Sequence, residues 1–288
     1  MNASLLLDRI LAPGGLRVVF QPILERRDGR WRLHAFESLV RGPADTNLRH
    51  AEVLFGYARR KQAEVCVDRV CVEAILQAAV QLGTATRLTI NVHGVTIERD
   101  RAFARFLTDQ AVACGFPLND LTIEIVEHSA TDGGPAFGAG LGALRELGCA
   151  IAIDDIGLGQ SNYRMLLAVR PDYFKLDRFL VHGCSTDAYR RDILRSISDL
   201  ARSVGAFSVG EGVDNVEDLS AVLDAGIPLV QGFLLAEPAT AESLGTNAAV
   251  SAAAAALPAR PALDWENRTD WLMSCARSRA RRPLRGVA

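Results

Sequence analysis

The sequence predicts an α/β protein of the (β/α)8-barrel type, on three observations. They are eight short apolar runs, amphipathic segments between them, and glycines that close those segments. The runs are RVVFQPI (17–23), HAFESLV (34–40), RLTINV (87–92), LTIEIV (121–126), AIAIDD (150–155), YFKLD (173–177), AFSVGEG (206–212) and PLVQG (228–232). Apolar and β-branched residues occupy both phases of a two-residue period, as in strands buried on both faces. The segments Val65–Leu82, Ala136–Leu147, Ala188–Val204 and Val216–Ala225 place apolar residues at helical spacing. Gly83, Gly115, Gly148, Gly205 and Gly226 each end a helix just before the next strand, the usual place for a left-handed cap. Each run is thus expected to lead through a loop into a helix, giving a parallel sheet covered by helices. Eight repeats suit a closed barrel. A doubly wound open sheet is the alternative, and no G-x-G-x-x-G follows the first strand to support it.

Beyond Pro238 the rhythm stops. The expected organisation is a barrel domain over 1–238, an Ala/Pro-rich linker over 239–262, and a C-terminal segment over 263–288 that holds Trp265, Trp271, Leu272 and Met273. That segment ends in RSRARRPLRGVA, with five arginines and no acid. A solvated end and a weak contact with anionic lipid or nucleic acid are both open readings of it.

Composition narrows the function. Hydrophobic residues make up 49 % of the 288, enough for a real core, and the formal net charge of −2 leaves no basic excess for a nucleic-acid polymer. No apolar run approaches the ~20 residues of a membrane span. The start, MNASLLLDRILAPGG, lacks a basic region and a small-residue cleavage site, so a cytoplasmic location is expected. Six cysteines without a C-x-x-C pair read as reduced core thiols, and five dispersed histidines make no zinc pattern.

The informative residues are the polar ones that interrupt the apolar runs near their C-terminal ends: Glu37, Asn91, Glu124, Asp154 with Asp155, Lys175, Glu211 and Gln231. A lone carboxylate there is usually a helix cap or a rim ion pair. Seven such strand ends converge on one face of a barrel, the face where barrel active sites lie. Five carboxylates, two amides and a lysine would then share one cavity, and that many like charges repel unless cations neutralise them. All-oxygen ligands favour Mg²⁺ or Mn²⁺ over zinc. An acidic pair such as Asp154–Asp155 suits two metals ~3.5–4 Å apart, the arrangement for in-line attack on a phosphate ester. Spacing alone therefore reaches a two-metal phosphoesterase.

Seven ordered blocks also resemble one family. FQPI, FESLVRG, INV, IEIVE, AIDDIGLGQSN with YFKLD, VGEGVDN and VQGFLLAEP follow the blocks of EAL domains across residues 15–238. The resemblance implies a barrel with one reversed strand, a homodimer, and cleavage of cyclic di-GMP to linear pGpG with two Mg²⁺ or Mn²⁺ ions. It implies that Glu37, Asn91, Glu124 and Asp154 hold the first metal, and that Asp154 and Asp155 hold the second. Lys175 would contact the attacking water, Glu211 would act as base or second-metal partner, and Gln231 would position water. Gln21 and Arg41 would meet substrate, Arg41 through its planar donor fork. Glu127 would anchor the loop after Asp155.

There are departures from the family pattern. Ser38 replaces the signature alanine. The loop reads Asp-Ile-Gly-Leu-Gly-Gln-Ser, with Ile156 and Leu158 as apolar residues that could serve a dimer. Asp214 stands where a glutamate is usual, and two readings are open: that it or Asn215 caps the helix that VDNVEDL begins, or that it is a carboxylate one methylene short of the site, which would slow turnover. Two other classes stay open: a catalytically silent EAL domain that binds cyclic di-GMP or docks on a protein, and another Mg²⁺ barrel enzyme acting on a phosphorylated metabolite. Degenerate relatives usually lose several metal ligands, whereas every one that maps onto this chain is retained.

Overall fold

The structure, a computed structural model, describes residues 3–126, 133–156 and 163–244. Helix α1 (Ala3–Leu11) precedes β1 (Arg17–Arg27) and β2 (Arg30–Arg41); α2 (Ala51–Arg60) and α3 (Glu64–Ala79) lead to β3 (Leu88–His93); α4 (Gly94–Arg99) and α5 (Phe103–Cys114) lead to β4 (Leu121–Val126). Then come α6 (Pro135–Glu146), β5 (Ala150–Ile156), α7 (Tyr163–Val169), β6 (Tyr173–Leu176), α8 (Arg178–Val181), α9 (Ala188–Ser203), β7 (Phe207–Gly210), α10 (Val216–Asp224), β8 (Leu229–Val230) and α11 (Ala241–Leu244). The eight strands close into a barrel in sequence order, which settles the choice against an open sheet. The glycines expected as caps take positive φ, among them Gly115 at 78° and Gly148 at 89°, so a side chain at either would be strained.

One expectation fails at the first strand. No helix follows it. Asp28 and Gly29, with φ of 52° and 72°, turn the chain straight back, and β1 pairs antiparallel with β2 in front and β8 behind. Two consecutive positive φ values mark the tight hairpin turn that Asp-Gly favours. β1 is thus the reversed strand, and β2 to β8 all run parallel.

The core lies between barrel and helices. Ile90, Val92, Ile123, Ile125, Ile151, Ile153, Phe174 and Leu176 are buried against helix residues such as Val72, Leu76, Leu107, Leu141 and Leu194. Inside the barrel, Ile23, Ala35, Val209 and Leu229 form a separate apolar floor with Tyr173 and Phe207, so the interior is packed rather than open. His34 bonds the Tyr173 hydroxyl at 3.1 Å within that floor. Burial, with the nearby Arg87 charge second, holds its imidazole down at about 4, so it stays neutral at pH 7.

Packing continues past Pro238. Ala239 exchanges two backbone hydrogen bonds with Phe20, and Ala241 and Leu244 are buried. No helix among the described residues is long and apolar enough to cross a membrane. The rest of the segment expected as linker, and all of 263–288 with its basic end, lie outside the described residues.

Candidate active site

Strand alternation builds the site from the floor upward. On β2, Glu37 sits one pleat above Ala35, and on β3 Asn91 sits one pleat above Thr89. Asn91 pairs across the sheet with Glu124, and Glu37 with Gln21. Lys175 comes from β6, Glu211 directly follows β7, and Gln231 directly follows β8.

These groups meet. The Lys175 ammonium lies 2.5 Å from Glu124, 2.7 Å from Glu211, 3.2 Å from Glu37 and 3.7 Å from Asp154. Lys175 is 2 % exposed and Glu124 is fully buried. Burial pushes the Glu124 and Glu211 carboxyls well above the usual carboxylate range, with Lys175 pulling them back. Burial alone would lower the Lys175 ammonium, but Asp154, Glu124, Glu211 and Glu37 together hold it well above the ordinary lysine value. One ammonium thus faces four carboxylates, Glu124 and Glu37 buried beside it and Asp154 and Glu211 partly exposed, and it can balance only one of them when they are ionised.

Asp154 and Asp155 raise a geometric question, because consecutive residues of a regular strand face opposite sides. The answer is a bulge. Pairing of β5 with β6 slips between Ile153 and Ile156, and Asp155 takes the left-handed conformation with φ of 54°. Such a non-glycine residue costs of order 1 kcal/mol, least for Asp or Asn. The reward is that carboxylate oxygens of Asp154, Asp155 and Glu211 lie within 4.8 Å of one another.

The amides form a second layer. The Gln231 side chain donates to Gln21 at 2.9 Å and to Glu37, and Gln21 donates to the Ala236 carbonyl at 2.9 Å. Gly232 makes this corner possible, since a Cβ there would fall 2.1 Å from the Val213 carbonyl oxygen. Arg41, at the end of β2, is part-buried and donates to the Val40 carbonyl at 3.1 Å; burial lowers its guanidinium while Glu37 opposes that shift.

Whether this pocket fits cations is answered by its unpaired oxygens. Glu124 Oε2 and Gln231 Oε1 are buried with no hydrogen-bond partner, although both residues bond through their other polar atom. A buried unpaired acceptor costs about 1–3 kcal/mol, and a hard cation is the natural partner for such oxygens. The donor set fits Mg²⁺ or Mn²⁺.

Of the two expected cap residues Asn215 is the one that caps α10, accepting from the Asp218 amide; Asp214 pairs with Arg178 at 2.7 Å, tying the chain after β7 to that after β6. Ile156 is buried at the end of β5, where it pairs with Leu176, and so offers no dimer surface. Glu127 and Leu158 lie outside the described residues. Sequence reasoning also missed a buried polar set beside the site, formed by Asp68, His93 and Thr96. Its signal was a carboxylate on the apolar stripe of α3 at Val67, Asp68, Cys71, Val72, Ile75 and Leu76.

Comparison with known proteins follows this geometry. The profile of the family described as EAL domain matches residues 6–238. The Escherichia coli K12 protein named cyclic di-GMP phosphodiesterase PdeF is 36 % identical over 118 residues, 41 % of this chain and 16 % of its own length. The Pseudomonas aeruginosa protein named cyclic di-GMP phosphodiesterase RocR is 30 % identical over 158 residues, 55 % of this chain and 40 % of its own length. The chain therefore matches less than half the length of either. Among solved structures, Klebsiella pneumoniae BlrP1, described as a manganese/cy-diGMP complex at pH 6, superposes with a TM-score of 0.70 at 27 % identity, covering 80 % of this chain and 57 % of that one.

Proposed function

Because this chain belongs to the EAL domain family, we propose that it hydrolyses cyclic di-GMP to linear pGpG with Mg²⁺ or Mn²⁺, two ions per site. The observation that carries the proposal is the buried cluster of Glu37, Glu124, Asp154 and Glu211 around Lys175, with Asp155 brought in by the bulge. Its clustered carboxylates and unpaired oxygens ask for cations, and two similar proteins are named for this activity.

In this reading Glu37, Asn91, Glu124 and Asp154 would hold one ion, and Asp154 with Asp155 would hold the other, with Glu211 beside them. When bound, the ions supply Lewis acidity to the phosphate oxygens and lower the pKa of a water in reach. Arg41 grips a phosphate of the ring, and Gln21 braces both the substrate and Gln231. Lys175 donates to the attacking water and fixes its lone pair toward phosphorus. Glu211, its carboxyl raised by burial, is suited to take the water proton. Oxygen attacks phosphorus, the bond to the 3′ oxygen breaks, and that oxygen takes a proton as it leaves. Gln231 orders water at the same rim. Asp214 acts at one remove, by holding Arg178.

The test is metal dependence. Activity should vanish in EDTA and return with Mn²⁺ or Mg²⁺, while Ca²⁺ restores cyclic di-GMP binding without turnover, because its larger, looser coordination spoils two-metal geometry. Equal rates in EDTA and Mn²⁺ would end the metal reading. We place the chain in the cytoplasm as a homodimer, with no polymeric nucleic acid as partner and weak lipid contact for the basic end. The exposed Tyr163 and Leu167, one turn apart on α7, support the dimer. Light scattering should give twice the chain mass at micromolar concentration, and a fully active monomer would contradict it.

A further inference from the structure

Pairing between β2 and β3 stops at Ser38 opposite Ile90, so β3 runs on for three more residues without that neighbour. Asn91 lies in this stretch, which keeps β4 on its other side but has no strand on this one. What takes the place of β2 is a side chain from α3. The Asp68 carboxylate accepts from the His93 backbone N–H at 2.9 Å, from His93 Nδ1 at 2.7 Å and from Thr96 Oγ1 at 2.5 Å. Asp68, His93 and Thr96 are 1 %, 2 % and 0 % exposed. The His93 ring meets the Phe55 ring edge to face at 5.3 Å, and its Nε2 is buried without a hydrogen-bond partner.

We propose that Asp68 and His93 are positioning residues that hold the upper end of β3, and with it the Asn91 amide, in register with Glu37 for metal binding. The inference rests on the function proposed above. Asn91 Nδ2 lies 3.4 Å from Glu37 Oε1, too long for a firm bond. The local geometry of Asn91 is therefore set by backbone, and that backbone is clamped two residues later at His93. The groups that hold β3 here are Nδ1 and the main-chain N–H of His93, both on the Asp68 carboxylate. Partners of this kind, one shell beyond the ligands, typically change metal affinity ~10–100-fold when lost.

The experiment measures Mn²⁺ binding to the full chain directly, by electron paramagnetic resonance of free Mn²⁺, alongside steady-state kinetics. His93→Ala and Asp68→Asn should each weaken Mn²⁺ binding about tenfold, with kcat at saturating Mn²⁺ within about threefold of wild type. His93→Asn should restore the wild-type Mn²⁺ affinity, since its amide nitrogen stands near the place of Nδ1. Unchanged Mn²⁺ affinity in Asp68→Asn or His93→Ala, at any melting temperature, overturns the proposal. So does a His93→Asn protein that folds but binds Mn²⁺ as weakly as His93→Ala. A wild-type chain that binds no Mn²⁺ at all overturns the metal reading itself, a different failure.

Discussion

Asp154→Ala, and likewise Glu37→Ala, should lower turnover of cyclic di-GMP by about a thousandfold or more at saturating Mn²⁺, while the metal-free protein melts no lower than wild type. The two halves of this expectation have one cause. Asp154 is the carboxylate common to both proposed ions and lies 3.7 Å from Lys175. Removing it would strip charge stabilisation of the kind worth ~10²–10³ in rate for one group, and Asp154 would serve both proposed ions. Without metal, the same carboxylate adds repulsion beside Glu124 and Glu211, whose carboxyls Asp154 helps to raise, and this offsets its attraction to Lys175 and its bond from the Asp155 amide. Kinetics and a thermal melt on the same sample check both halves. Near wild-type turnover in either variant at saturating metal would remove Asp154 or Glu37 from the site.

Lys175→Met should act in the opposite way on stability. The ammonium touches Glu124, Glu211 and Glu37 within 3.2 Å and is almost fully buried. Its loss leaves buried carboxylates facing one another with no counter-charge, a change that typically costs about 3–5 kcal/mol. For a domain of this size that is a fall of roughly 10 °C in melting temperature. Added Mn²⁺ should recover part of it, because ions that bind only the folded state stabilise it, whereas turnover should stay lost. Calorimetry with and without Mn²⁺ reads both effects. A variant as stable as wild type in EDTA would show that the carboxylates are protonated or apart in the free protein.

The strands were legible because burial on both faces leaves a plain apolar signature, and the polar residues stood out against it. Glu37, Asn91, Glu124, Asp154, Lys175, Glu211 and Gln231 all reach one pocket because each follows an inward pleat or a strand end. The hairpin was hidden by reading periodicity alone, although Asp28-Gly29 carried its signal. Strand alternation predicts that Asp155 faces away from Asp154; only the positive φ and slipped register bring it round. Ile156 looked like loop because glycines follow it, yet β6 pairing buries it. Asp68 did not stand out in the sequence, since its partners, His93 and Thr96, lie 25 and 28 residues away.

The most direct test of the central claim is to incubate the purified chain with cyclic di-GMP and Mn²⁺ in ¹⁸O-labelled water and to identify the products by mass. The account predicts linear pGpG carrying one labelled oxygen in its 5′-phosphate, since water attacks phosphorus and the 3′ oxygen leaves. Cyclic di-GMP recovered intact from protein that binds both it and Mn²⁺ would contradict the account, and would make the chain a receptor rather than an enzyme.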